Sequence, residues 1–263
     1  MRLEVLGKGA FVHDGGVRFD SSKPVAVLLH GAGSDHTLWS HQSRYLAHRG
    51  LAVLVPDLPG HARSDGPAPA TIAGFAGWVA ALLEELGVGQ ASLVGHSMGS
   101  FVALECAASH PDRVTRVALV SSSAQMRVHP DLQGAADRAD PLAIELMVGW
   151  SFTGPRRLGG YATPGIWVEG GFRRLLEDAL PVSLAGDLRA CSEYQPLPKA
   201  AQVRCPALVI SGSHDVMTPA SAGRSLASAI AGSRFEIIEG AGHSVVFADP
   251  DLFRRHLEAF LIP

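Results

Sequence analysis

A serine hydroxyl becomes a nucleophile at neutral pH only when a base stands within hydrogen-bond reach and an acid orients that base. The stretch Gly95-His96-Ser97-Met98-Gly99 places a serine where such help could reach it. Apolar residues suited to a buried strand lead into it, and a helical pattern follows through Phe101, Val102, Leu104, Cys106 and Ala108. Glycines at 95 and 99 remove side chains that would collide across so tight a strand-to-helix corner. The helix N-terminus behind Ser97 offers a backbone N–H and a positive dipole end to an oxyanion. A serine that merely capped the helix would need neither flanking glycine.

Candidates for the base and the acid follow two later apolar runs. Ser211-Gly212-Ser213-His214-Asp215 comes after Ile210, and Glu239-Gly240-Ala241-Gly242-His243 comes after Ile238. His243 lies in a glycine-rich loop that can bend its ring toward Ser97. Asp249 and Asp251 are rival acids, but Asp249-Pro250 already reads as the start of a helix. Asp215 stands in a loop just beyond an expected strand. The order along the chain is Ser97, Asp215, His243.

The elements that must position these residues show in the hydrophobic pattern. Leu3–Leu6 and Ala10–His13 read as short strands, and Asp14-Gly15-Gly16 as a turn into Val17-Arg18-Phe19, so an N-terminal hairpin is expected. Val25–Leu29 and Leu51–Val55 are apolar without alternation, as strands covered on both faces are. A helix capped by Asp35 and stopped at Gly50 separates them. A Thr71-capped helix to Leu86, a strand over Ser92–Gly95, the helix after Ser97 and a strand over Val114–Val120 continue the alternation. The expected fold is therefore α/β, a mostly parallel sheet with helices on both faces, with its site at the carboxyl ends of the strands.

From Ser123 to about Ala201 the rhythm changes to helical patterns over Pro141–Trp150, Gly171–Leu180 and Val182–Tyr194. Residues 1–123 and 202–263 are expected to form the core and 124–201 a helical cap. The sheet resumes at Pro206–Ile210, Thr218-Pro219 opens another helix, Phe235–Ile238 is the last strand, and an amphipathic helix closes the chain.

Composition excludes several classes. A chain of 263 residues with a formal charge of −3 and 18% charged residues has no basic stripe for nucleic acid. Three cysteines, Cys106, Cys191 and Cys205, are odd in number and far apart, which suggests neither a disulfide framework nor a zinc site. The cysteine usage fits a reduced, cytoplasmic setting. The start lacks an apolar leader and no run approaches the roughly 20 residues of a membrane span, so a soluble protein is expected. The histidines show no H-E-x-x-H spacing, and neither a metal nor an organic cofactor is expected.

His30-Gly31-Ala32-Gly33, the DLPGHARS run from Asp57, GHSMG around Ser97, GSHD ending at Asp215 and GAGH ending at His243 stand in order, each at an expected strand end. In this the chain resembles the α/β-hydrolase superfamily over nearly its whole length, and within it a serine esterase-like member with a helical lid. The resemblance implies a Ser97, Asp215, His243 triad and an oxyanion hole made by the backbone N–H groups of Ala32 and Met98. Ala62 departs from the usual DLPGHARS-type motif, where a second glycine is common. His30 and His61 are expected to brace loops through hydrogen bonds.

The chemistry that follows is hydrolysis of a carboxylic ester of a small or medium hydrophobic substrate through an acyl-enzyme. The same triad serves lactone, thioester or carbon-carbon bond hydrolysis and acyl transfer, and a different class of protein keeps it as a small-ligand receptor. The partner is a small-molecule ester or related acyl compound. The cap should line the pocket with apolar side chains: Met147, Trp150 and Trp167 are candidates, with His96 from the core, and Phe152, Tyr161, Ile166, Phe172 and Leu176 add apolar surface. Arg156, Arg157, Arg173 and Arg174 are read as a solvated helix face beside Glu169, Glu177 and Asp178.

Overall fold

The computed structural model describes residues 1–152 and 167–262. Tyr161, Ile166, Arg156 and Arg157 therefore lie outside the described residues. An eight-stranded sheet carries the molecule, in the order β1-β2-β4-β3-β5-β6-β7-β8. β1 (Arg2–Val5) and β2 (Lys8–His13) form an antiparallel hairpin, and β2 pairs antiparallel with β4 (Ala52–Pro56). The turn of that hairpin is Leu6-Gly7, both with positive φ, as the right-handed twist of paired strands favours. Val17–Phe19, expected to join a strand pair, is instead a loop, because β2 leaves the turn at Lys8 and spends its other edge on β4.

The remaining strands are parallel: β3 (Val25–Leu29), β5 (Ala91–His96), β6 (Val114–Val120), β7 (Ala207–Gly212) and β8 (Arg234–Ile238). Their continuous apolar sequence is explained by two cores, one on each face. On β3, Val25, Val27 and Leu29 enter one core while Ala26 and Leu28 enter the other. The first core is closed by α2 (Ile72–Glu85) and α3 (Met98–Ser109), the second by α1 (Ser40–His48) and the terminal helix over Pro250–Leu261.

Capping residues explain where several helices begin. Thr71 accepts the Gly74 N–H, Asp249 accepts the Leu252 N–H, and Asp140 accepts the Leu142 N–H. Asp35 caps a short 3-10 turn over His36–Trp39, and α1 follows it directly. Gly50 closes that unit with φ +98°, a conformation glycine adopts at little cost.

Between β6 and β7 lie α4 (Pro130–Asp137), α5 (Leu142–Ser151), α6 (Val168–Ala179), α7 (Leu184–Glu193) and α8 (Pro196–Ala200). α4 and α8 each begin at a proline, which presets the first helical φ. After β7 come α9 (Ala220–Ser228), α10 (Val245–Ala248) and α11 (Pro250–Leu261). The inserted helices are tied to α3 through Glu105, whose buried carboxylate accepts from Lys199 Nζ at 2.8 Å and Tyr194 Oη at 3.0 Å. On α6, Arg173 pairs with Glu145, and Arg174 with Glu177 and Asp178, as a solvated face does. No helix among the described residues is long and apolar enough to cross a membrane.

Candidate active site

Ser97 sits between β5 and α3 with φ +53° and ψ −119°, a conformation that side chains rarely adopt. Two close approaches impose it. A Cβ on Gly95 would lie 2.0 Å from the Gly99 carbonyl oxygen, and one on Gly99 would lie 2.4 Å from that of Leu29. The corner is pinned to the neighbouring strand by the Ser97 N–H, which donates to Val120 O at 2.9 Å. The serine side chain is thereby presented at the carboxyl end of the sheet.

His243 arrives on the loop after β8. That loop packs tightly on the end of β7, where a Cβ on Gly212 would lie 2.4 Å from the carbonyl oxygens of both Ala241 and Gly242. The His243 carbonyl is held twice, by Ser121 Oγ at 2.7 Å and by His96 Nε2–H at 3.0 Å. Its ring donates from Nδ1 to Asp215 Oδ2 at 2.9 Å, which leaves Nε2 as the nitrogen able to take a proton from elsewhere. Asp215 is buried and accepts four hydrogen bonds: from His243, from the Met217 and Thr218 N–H groups, and from Thr218 Oγ1 at 2.6 Å. Burial opposes its charge, yet the His243 ring and the Thr218 donors hold the carboxyl below its ordinary pKa.

Ser97, His243 and Ala32 line one cavity of about 400 Å³. Ala32 follows His30-Gly31 after β3. Met98 is the first residue of α3, where a backbone N–H has no partner within the helix. The Met98 side chain turns into the core, whereas Ala32 belongs to the edge of that core and also lines the cavity. Met126, Met147, Trp150, Leu188, Cys191 and Met217 make the walls apolar, and exposed Arg127 and His129 stand at the rim. The arrangement suits attack on a carbonyl whose attached group is hydrophobic.

The expected pocket residues divide. Met147 and Trp150 line this cavity. His96 does not: its Nε2–H is committed to the His243 carbonyl and its ring packs on that of His243 at 5.1 Å. Burial, and then the nearby His243, push the His96 pKa down to about 3, so it is a neutral brace. Trp167 is also elsewhere. It precedes α6 and lies across its own first turn, where a Cβ on Gly170 would meet the indole at 2.1 Å; it is 73% exposed and borders a separate groove with His41 and Phe247.

Sequence reasoning assigned Thr218 to a helix start, but its hydroxyl is spent on Asp215, and α9 begins two residues later. The three-residue spacing between Asp215 and Thr218 was the available signal. Asp35, His36 and Asp57 bring ligand-type atoms within 4.8 Å of one another, but Asp57 Oδ1 already accepts the backbone and ring N–H of His36, and Asp35 Oδ1 accepts from Thr37. The cluster braces the loop after β4.

Comparison with known proteins agrees with this geometry. Residues 26–256 match the family described as the alpha/beta hydrolase family. A putative carbamate hydrolase, RutD, of Klebsiella pneumoniae is 30% identical over 88% of this chain and 88% of its own length. A pimeloyl-[acyl-carrier protein] methyl ester esterase of Aromatoleum aromaticum is 29% identical over 88% of this chain and 95% of its own. Among solved structures, the enol-lactonase of Burkholderia xenovorans LB400 superposes with a TM-score of 0.90 at 28% identity, covering 100% of both chains. On the sheet order, the strand-end loops and this match across most of its length, the chain belongs to the alpha/beta hydrolase family and is a hydrolase of that family.

Proposed function

We propose that the protein is a serine hydrolase that cleaves a carboxylic ester of a small or medium hydrophobic substrate through an acyl-enzyme. His243 Nε2 takes the proton of Ser97 Oγ, the alkoxide attacks the ester carbonyl, and the N–H groups of Ala32 and Met98 hold the resulting oxyanion. The tetrahedral intermediate then collapses. His243 returns its proton to the departing alcohol, and water, activated by the same imidazole, releases the acid. Asp215 keeps the His243 Nδ1 proton in place and stabilises the imidazolium.

One observation carries this reading: Asp215 and His243 are joined at 2.9 Å on loops that the sheet brings beside Ser97, and His243 and Ser97 share one apolar cavity. The inserted helices α4, α5 and α7 supply the opposite wall and act as the lid that selects the acyl or alkyl group. The likeness to an enol-lactonase favours a second reading, hydrolysis of a lactone, which is a cyclic ester and needs no change in the residues named.

A fluorophosphonate probe and a series of p-nitrophenyl esters test the proposal. Covalent labelling at Ser97 that disappears in Ser97→Ala, together with turnover that falls to background, is the expected result. Labelling or turnover that survives Ser97→Ala would refute it. A lactone series read by acid release then separates the two substrate classes.

A further inference from the structure

We propose that Asp187, which belongs to the inserted helix α7, is a positioning residue for the oxyanion hole. The inference rests on the serine-hydrolase reading above. A backbone N–H stabilises an oxyanion only when its peptide plane is aimed at the developing charge, and a misaimed donor gives up part of that stabilisation.

The planes on either side of Ala32 are each held by a side chain. Gly31 O accepts the Nδ1–H of His30 at 2.9 Å, and a trans peptide turns the Ala32 N–H of that plane the opposite way. His30 Nε2 accepts the Leu58 N–H at 3.0 Å, which fixes this tautomer, and burial, with the neighbouring His61, lowers its pKa to about 4. The next plane, Ala32–Gly33, donates its N–H to Asp187 Oδ2 at 3.0 Å. Gly33 has φ +62°, and a Cβ there would lie 2.8 Å from Leu176 and 3.1 Å from Leu184. The inserted helices thus press on the turn that carries the proposed donor and grip it through Asp187.

The same oxygen accepts from His61 Nε2 at 2.8 Å, while His61 Nδ1 meets Pro59 O at 3.0 Å. Pro59 O can only accept, and an Asp187 carboxylate likewise, an arrangement that suits an imidazolium at His61 with both ring nitrogens donating. Burial opposes that charge, and Asp187 raises the His61 pKa above its ordinary value in spite of it. Asp187 Oδ1 has no hydrogen-bond partner among the described residues. A buried ion pair with an unsatisfied oxygen is a poor device for stability alone, because apolar residues of similar volume commonly do as well or better. Its placement on the Ala32–Gly33 plane gives it another use.

The experiment begins with kcat and KM of the wild-type protein on its best p-nitrophenyl ester, and with the inhibition constant of a trifluoromethyl ketone bearing the same acyl chain. Asp187→Ala is expected to lower kcat about 10- to 100-fold with KM within about 3-fold, and to weaken the ketone by the same factor as kcat/KM. Asp187→Asn, whose carboxamide oxygen still accepts from Gly33, should recover most of the loss. If Asp187→Ala does not fold, the double variant Asp187→Leu/His61→Leu removes both charges together and should show the same fall in kcat. An unchanged kcat, a rise in KM alone, or failure of Asp187→Asn to restore activity would overturn the proposal. A wild-type protein without turnover on any ester would instead remove the serine-hydrolase reading and this inference with it, before any variant is measured.

Discussion

Burying a carboxylate ordinarily raises its pKa, and Asp215 goes the other way because the His243 ring beside it, by charge and hydrogen bond, and then the Thr218 donors favour its ionised form. A carboxyl whose folded pKa lies below its unfolded value, about 3.9, adds stability that is complete above that value. The contribution is lost as the pH falls through the folded pKa. Asp215→Asn is therefore expected to lower kcat by about 10⁴-fold, since the His243 tautomer is no longer enforced. It should also flatten the acid side of the stability profile; urea midpoints at pH 6 and pH 3 should differ less in the variant than in the wild type. At this scale the sequence spoke clearly where chemistry leaves a local mark. Ser97 stands between glycines, and Asp215 and His243 stand in the short loops that follow apolar runs. His96 and Trp167 were misjudged as pocket residues because neither the carbonyl that takes the His96 proton, 147 residues away, nor the fold of the Trp167 indole across Gly170 is written in local pattern. Asp187 was missed for the same reason: its partners lie 126 and 154 residues away, and alone it is one more acid on an amphipathic helix.

Elements are held in register by contacts that tolerate no added atom. Gly99→Ala would drive a methyl group against the Leu29 and His30 carbonyl oxygens and should cost about 3 kcal/mol or more in urea denaturation. Gly77 is the control. It lies within α2, is exposed, and a Cβ there meets nothing within 4 Å, so Gly77→Ala should stabilise by about 0.5–1 kcal/mol. The covered strands and the helices begun by Thr71, Asp140 and Asp249 were legible because burial and capping act over a few residues. Val17–Phe19 and Thr218 were not, since each answers to a tertiary demand: one edge of β2 goes to β4, and one hydroxyl goes to Asp215. α4 and α10 are short helices of 8 and 4 residues, too brief for a hydrophobic period to stand out.

At the scale of the whole molecule, the core supplies Ser97 and His243 while the inserted helices supply most of the apolar wall. Chain-length preference should therefore change independently of the chemistry. Trp150 lines the cavity from an inserted helix, so Trp150→Ala enlarges it and should move the optimum of a p-nitrophenyl ester series toward longer acyl groups, with the rate of Ser97 labelling by a small fluorophosphonate kept within about 3-fold. A fall in that labelling comparable to the change in ester preference would show that the tryptophan supports the catalytic loops instead. The left-handed backbone at Ser97 has a cost for the molecule as a whole. A domain with a margin of about 5–15 kcal/mol keeps on the order of 1–3 kcal/mol of torsional strain in a single residue. Glycine would relax that strain and give back only about 1 kcal/mol in chain entropy. Random change at position 97 thus has a downhill route to a sturdier protein without the hydroxyl, so the nucleophile proposed above persists only where its chemistry outweighs that drift.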